Sequence, residues 1–598
     1  MAVNFGNGAI YNSGSIVSLG RYDEDDPLAD PDEIYAAILL EGGSLVNAAG
    51  GLVLGAEAGV VDQGDADGDG ATVRNEGQIL AGVAVTSMGD DFVLENIGGR
   101  IAGGIRAVDL SGEDAMIVNQ AGLIDGGLWL NGNGAVVDNR AGGVMIRTGA
   151  RGEDGKPDSA VIDLLDVDGA VVTNAGLIAG NDADGIDAGL SDESAWASLE
   201  VANLSGARIA GVTAIDAEVD TLDVDNAGFL TGEDYGVYAT ADDVSIVNRA
   251  GGEITGGISA IDVEGGFDIQ NAGAISGGND ERHAPAMFLI GDGTLTNAAG
   301  GRITGGVAIS SDADGLVDVV NAGVIEAERL AIQVGGEASV ENQAGGLISA
   351  ALGIVFTSSI DPDALPIDTP TLVNRGEIRG GVIYDAGMVN IADIGGRLGA
   401  NEEGWALTFS EDADERWLTV RDGAVIDGDV LAGETNDLNA ARDREDSVAT
   451  FEGGGSFTHD LSGFGLIEKE GAGTWRFSGN LLAAAFDVNE GGVRLDGRFT
   501  GDEMTVGTGG TLSGNGTIEG DLVSEGRVAP GNSIGTITVT GDFTQTATGT
   551  LAMEYAADGA GGTVTDRLVV GGAAICSACV EHEGASWSPV EPCGASRL

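Results

Sequence analysis

The sequence predicts an all-β fold, a single-stranded right-handed parallel β-helix (β-solenoid), on three observations. One phrase recurs from Ile10-Tyr11-Asn12-Ser13-Gly14-Ser15-Ile16 to Leu372-Val373-Asn374-Arg375-Gly376-Glu377-Ile378, with its marker Asn at 12, 47, 75, 96, 119, 139, 174, 203, 226, 248, 271, 297, 321, 342 and 374. Many of these spacings are 20 to 24 residues, and self-similarity at a fixed period marks one supersecondary unit stacked many times. The residue two before the Asn is Val, Ile or Leu at all fifteen positions, a period of two rather than of three or four. Glycine recurs inside every window, 104 times in 598 residues, which disfavours helix and supplies turns.

Each element of the repeat follows from spacing. The first strand carries the aliphatic and the Asn on one face, as in Val73 and Asn75 or Val319 and Asn321. After the Asn, the next aliphatic stands four residues on in the short form (Asn271 to Ile275) and six on in the long form (Asn297 to Ile303). Both numbers are even, so the side chain stays inward in either case; a one-residue change would flip it. Asn96 and Asn119 have a spacing of five, which predicts a bulge there. A second short strand usually follows, as in Ile105-Arg-Ala-Val108-Asp, Thr213-Ala-Ile-Asp216, Ile258-Ser-Ala-Ile261-Asp and Val307-Ala-Ile309. A unit this short cannot bury its own apolar face, whereas stacked units can.

The Asn shares the parity of the inward aliphatics. Its amide is therefore expected at a turn, half or fully buried, with the Asn of the next rung as its partner in a ladder. The plainer alternative is that Asn is there because it tolerates the left-handed turn conformation.

Residues 1–400 read as the regular solenoid, interrupted by Asp-rich loops at 22–33, 62–70, 151–158 and 180–193 and a Pro-containing loop at 360–370. Over 401–449 the period blurs and charge rises, which reads as an irregular transition with a loop or short helix at 436–446. From 450 to 572 the pattern changes. Leu466-Ile-Glu-Lys469-Glu-Gly471-Ala-Gly473-Thr-Trp475-Arg-Phe-Ser-Gly479, Gly507-Thr-Gly-Gly-Thr-Leu512-Ser-Gly514-Asn-Gly516-Thr-Ile518 and Val528-Ala-Pro530-Gly531-Asn532-Ser533-Ile-Gly535-Thr-Ile537 follow one another. This stretch resembles the passenger-associated repeat and the autochaperone-like end of bacterial autotransporter passengers. The resemblance implies a surface-displayed or secreted β-helix of a Gram-negative bacterium. Residues 573–598 change composition abruptly, with Cys576, Cys579 and Cys593 the only cysteines, and read as an aberrant, disordered tail. The twelve-stranded outer-membrane barrel in which the family ends is not found, nor is a signal peptide, so the chain reads as truncated.

Composition bounds the partners. The net charge of −69 makes nucleic acid and anionic membranes poor ligands, and no apolar run approaches the ~20 residues of a membrane helix. Hydrophobic residues at 43% suffice for a long core.

Few motifs carry chemistry. Asp65-Ala-Asp67-Gly-Asp69-Gly70-Ala-Thr-Val-Arg-Asn-Glu76 has carboxylates at loop positions 1, 3, 5 and 12 and glycine at 6, the pattern of a calcium loop, though without flanking helices. Asp182, Asp184 and Asp187 form a looser acidic cluster, and Cys576, Cys579, His582 and Cys593 offer the atoms of a zinc site in an unconvincing context. His283, His459 and His582 are the only histidines and lie far apart, with no nucleophile elbow and no P-loop.

The expected function is accordingly non-enzymatic, with no catalytic residue and no required cofactor beyond possible calcium. It is that of an adhesin, aggregation factor or surface layer whose partners are surface glycans or proteins, or copies of itself. The alternatives are a non-functional truncated product and a polysaccharide-active β-helix enzyme (lyase or hydrolase). The enzyme predicts Arg or Lys beside clustered Asp on neighbouring rungs.

Overall fold

The computed structural model describes residues 3–5, 8–19, 36–149, 159–190, 196–278, 284–311, 315–335, 337–357, 369–385, 387–433, 437–444, 446–557, 562–577 and 580–583. The loops expected at 22–33 and 151–158, most of that at 360–370, and nearly all of the tail from 578 lie outside these residues. What is described is 68% strand and ~1% helix, laid down as a right-handed parallel β-helix. The chain divides into two compact units, Met1–Ser310 and Ser311–Leu598.

In the first unit every rung repeats three inward columns. The aliphatic two before the Asn stacks in register as Ile10, Leu45, Val73, Leu94, Ile117 and Val137. The aliphatic after the corner stacks as Val53, Ile79, Ile101, Ile124, Met145, Ile178 and Ile209, all fully buried. A third column runs through the second strand as Ile38, Val60, Val85, Val108, Leu128, Ile162, Ile186 and Ile215. Each such side chain removed from water contributes roughly 1.5–3 kcal/mol, and the contribution exists only once the neighbouring rungs are in place.

Between these columns runs the asparagine ladder. Asn12 Nδ2 donates to Asn47 Oδ1 at 2.8 Å, Asn47 to Asn75 at 2.8 Å, Asn75 to Asn96 at 2.8 Å and Asn96 to Asn119 at 2.9 Å. The relay continues through Asn139, Asn174, Asn203, Asn226, Asn248 and Asn271 to Asn297 at 2.8–2.9 Å per step. The second amide hydrogen of each goes to a backbone carbonyl beyond the corner of the next rung, as from Asn226 to Glu253 O at 3.2 Å. None of these Asn has a positive φ, so the ladder is the reason for the residue and left-handed tolerance is not.

The corners explain the spacing, and they correct one expectation. Strand pairing through Asn96 and Asn119 runs without a register shift. The odd residue sits in the corner itself, where Gly98 (φ 66°) and Ala121 (φ 51°) adopt the left-handed conformation, and Ile101 and Ile124 still point inward. The six-residue corners turn in the same way, at Gly50 (φ 85°) and Gly300 (φ 94°). The glycine that follows is fixed by close approach: a Cβ on Gly51 would lie 2.4 Å from Asn47 Oδ1, and one on Gly99 2.4 Å from Asn75 Nδ2.

The second unit continues the pattern and then changes its filling. Asn321 donates to Asn342 and Asn342 to Asn374, both at 2.9 Å. Beyond Asn374 the column is occupied in register by Ile394, Val420, Phe451, Lys469, Val488, Val506 and Ser524. Aromatic side chains take over the core. Phe356, Tyr384 and Phe409 stack at 4.6 and 5.2 Å between centroids, and Phe451, Trp475, Phe477 and Phe486 meet edge-on at 4.9–5.8 Å. Lys469 is fully buried, yet its Nζ donates to Glu470 O and Gly471 O at 2.6 Å and to Glu490 O at 3.1 Å. Burial holds its pKa below the usual lysine value.

The expected irregularity near 436–446 contains a short helix, Leu438–Arg442, capped by Asp437 through the N–H of Asn439. Further on, Asp566 fastens the Pro530-Gly-Asn-Ser turn region by accepting from Gly535 N and Glu554 N at 2.8 Å. Among the described residues, the antiparallel pairing of Tyr555–Ala557 with Thr563–Thr565 and an antiparallel bridge between Gly514 and Gly531 break the parallel order. No helix among the described residues is long and apolar enough to cross a membrane.

Candidate functional site

The solvent face of the second strand in the first unit carries a column of carboxylates and aromatic rings. In register it runs Thr86, Asp109, Trp129, Asp163, Asp187, Asp216, Tyr238, Asp262 and Phe288. Local sequence dictates the placement. Each member from Asp109 to Phe288 stands between two buried apolar residues, as in Val108-Asp109-Leu110, Ile186-Asp187-Ala188, Ile215-Asp216-Ala217 and Met287-Phe288-Leu289, so period two turns it outward. Every member from Asp109 to Phe288 is half-buried.

Two arginines attend the first rungs. Arg106 Nη1 pairs with Asp109 Oδ2 at 2.8 Å while its Cζ lies 3.2 Å from the centre of the Trp129 ring, a cation held between a carboxylate and an aromatic face. Arg147 donates to Gly126 O at 3.2 Å and, with Arg106, offsets part of the burial that raises the pKa of Asp163. Burial also raises Asp109, outweighing its ion pair. A groove of about 570 Å³ opens at this end, lined by Glu57, Val83, Thr86, Ile105 and Asp109 among others.

The middle of the column is acidic. Burial, with Asp216, Asp163, Asp184 and Glu218 nearby, pushes the Asp187 carboxyl up to about 7. Burial and Glu264 push Asp262 up to about 6. Tyr235 and Tyr238 lie 5.3 Å apart, tilted by 58°.

The sequence-predicted positions fare differently. Asp65 Oδ1 accepts from Asp67 N at 2.9 Å and Asp69 N at 3.2 Å, closing a tight exposed turn, while Glu76 pairs with Arg74 at 2.9 Å on the strand that follows. No group of three or more His, Cys, Asp or Glu side chains is placed to hold a metal ion among the described residues. The loop is organised instead by Asp62, which period-two reading places inward. Asp62 is fully buried and accepts from Gly42 N at 3.0 Å, Gly64 N at 3.3 Å, Ala71 N at 2.9 Å and Ser87 Oγ at 2.8 Å. Asp182 is exposed in a left-handed turn, Asp184 points inward and accepts from Thr213 N at 2.7 Å, and Asp187 points outward, so these three do not converge.

His283, Cys579 and Cys593 and the side chain of His582 lie outside the described residues. His459 has Nε2 3.3 Å from Asp427 and Nδ1 3.8 Å from Asp429, so both ring nitrogens face carboxylates rather than a nucleophile. The outward column is not legible in the sequence alone: a lone Asp or aromatic between two apolar residues recurs from Asp109 to Phe288, but which of them align is set by the pairing of the rungs.

No family model matches the chain. Over 89 residues, 14% of the chain, it is 38% identical to an extracellular serine protease of Serratia marcescens, and the match spans 8% of that protein's length. Together with the parallel solenoid, this similarity to a secreted protein fits an autotransporter-type passenger. It also overturns the expectation of a non-enzymatic chain: the relative is a protease by name, and a β-helix is a scaffold that neither supplies nor excludes catalysis.

Proposed function

We propose that the chain is the β-helical body of an extracellular, autotransporter-type passenger that meets surface polymers along its outward column. The observation that carries the reading is the column itself: nine consecutive in-register positions from Thr86 to Phe288, laid along a rigid face that a long ligand can follow. The similarity to a secreted protease supports the extracellular setting. Within this proposal, the rungs from Leu461 to Val570, with their buried aromatics and the Asp566-fastened turn, are the passenger-associated repeat and autochaperone-like end.

The test uses intact Gram-negative cells making the full-length protein. External protease and impermeant antibody are expected to reach the solenoid. A chain protected until the cells are lysed refutes the reading.

A second reading is favoured by one specific observation. Arg106 and Arg147 stand beside Asp109 and Asp163 on neighbouring rungs, the arrangement expected of a polysaccharide-active β-helix. Release of new reducing or unsaturated ends from a glycan panel by the purified chain, lost in Asp163→Asn, is the expected result. No release from any glycan removes this reading.

A further inference from the structure

The corner after the strand Leu128–Leu130 holds two Asn–Gly pairs, Asn131-Gly132 and Asn133-Gly134, and the second unit holds another, Asn515-Gly516. In such a pair the glycine nitrogen adjoins the side-chain amide and no Cβ shields it, so the two can close a ring. Hydrogen bonds oppose closure, because both groups must be free to turn. The fold treats the three pairs differently. Asn133 Oδ1 accepts from Asp168 N at 2.9 Å, and Gly134 N donates to Asp168 O at 2.8 Å. Asn515 Oδ1 accepts from Thr536 N at 3.0 Å, and Gly516 N donates to Leu495 O at 2.8 Å. Both of these pairs are held at the amide and at the nitrogen. Asn131 is exposed, and among the described residues neither its side chain nor the N–H of Gly132 makes a hydrogen bond. Packing nevertheless requires glycine at 132, since a Cβ there would lie 2.0 Å from Gly112 O. The corner thus fixes the unshielded glycine and leaves the amide before it loose.

We propose that Asn131 is a self-modifying site that deamidates in the folded chain. The Gly132 nitrogen attacks Asn131 Cγ. The new N–Cγ bond forms as the Cγ–Nδ2 bond breaks, and ammonia leaves with the proton of the Gly132 amide. Water then opens the cyclic imide. Attack at Cγ gives aspartate, and attack at the main-chain carbonyl carbon gives the β-linked isoaspartate. Nothing is oxidised or reduced, and water is the sole co-reactant. Either product adds a carboxylate just beyond the strand that presents Trp129. The β-linked product also lengthens the main chain between Leu130 and Ala135, both buried, where Gly132 already lies against the rung beneath. The chemistry needs no partner and is independent of the extracellular reading.

The test incubates the purified full chain in mildly alkaline buffer, folded and in concentrated urea, and follows each Asn–Gly pair by peptide mapping that separates Asn, Asp and isoAsp. In the folded chain Asn131 is expected to convert roughly tenfold faster than Asn133 or Asn515, each of which must first break two hydrogen bonds. In urea the three sites are expected to convert at similar rates, because the difference belongs to the fold and not to the dipeptide. Asn131→Gln is expected to remove the fast conversion. An Asn131 that stays an amide in the folded chain, an Asn133 or Asn515 that converts as quickly there, or a preference for Asn131 that persists in urea would each overturn the proposal.

Discussion

Removing one amide from the middle of the asparagine ladder should cost far more than removing one from its end. Asn226 accepts from Asn203 Nδ2 at 2.8 Å and from Gly228 N at 3.2 Å, and donates to Asn248 Oδ1 at 2.8 Å and Glu253 O at 3.2 Å. Asn226→Ala deletes all of these bonds in a fully buried setting. At about 1 kcal/mol net per bond the loss is about 4 kcal/mol, and Asn248 Oδ1 is left buried without its donor. Asn374 closes the ladder of the second unit: it accepts from Asn342 and donates to Arg397 O, and its neighbour in the column is Ile394. Asn374→Ala should therefore cost about 2 kcal/mol.

Urea unfolding followed by circular dichroism gives both values if the m-value is unchanged. Hydrogen exchange of the amides on either side of the altered rung reports whether the solenoid now opens there first. A mid-ladder loss below about 1 kcal/mol, or equal losses at the two sites, would show that the ladder is a by-product of packing and not a source of stability.

Three further outcomes follow from the core and the outward column. Asp187 has a folded pKa of about 7, above its unfolded value, so the protonated form is favoured by folding; its contribution is complete below about pH 4 and is lost as pH rises through about 7. Melting temperatures measured from pH 4 to 8 should fall over that window, and Asp187→Asn should flatten the fall; an unaltered slope would contradict the assignment. Lys469→Met leaves Glu470, Gly471 and Glu490 carbonyls without their shared donor and should lower stability by about 2–4 kcal/mol, read by urea midpoint, despite the apolar replacement. Phe477→Ala opens a hole among Phe451, Phe457, Trp475 and Phe486 and should cost about 3–5 kcal/mol, with a loss of near-ultraviolet dichroism from the neighbouring rings.

How much of this was legible follows from which contacts are periodic. Val-x-Asn and the aliphatic four or six residues later specify side-chain parity directly, so the inward columns and the ladder could be read before any coordinates. The outward column could not be, because its members are brought together by rung alignment across connections of unequal length. Asp109 meets Trp129 twenty residues on, whereas Trp129 meets Asp163 thirty-four residues on. Outward Asp residues also look like ordinary solvated charge until their alignment is known. The expected bulge was misplaced because parity counts residues but not left-handed ones: Ala121 turns the corner and absorbs the odd residue without disturbing pairing. At the calcium pattern of Asp65–Glu76, the sequence does not reveal that Glu76 pairs with Arg74 or that Asp65 accepts from the N–H of Asp67 within its own turn.

A stack whose steps all look alike has no intrinsic address: a lap displaced by one whole period would meet the same amide and the same isoleucine. The exceptions remove that ambiguity. Asp62 in its column is satisfied only with Ser87 on the following lap and the folded 62–71 segment beneath its carboxylate, and Arg416, buried against Ser410 O, Glu411 O and Ser447 Oγ, fits no other level. Placed one level off, either would leave a buried charge without partners, at several kcal/mol. These few discordant residues act as page numbers in an otherwise uniform text, so the monotony that makes the coil easy to extend does not make it easy to misthread.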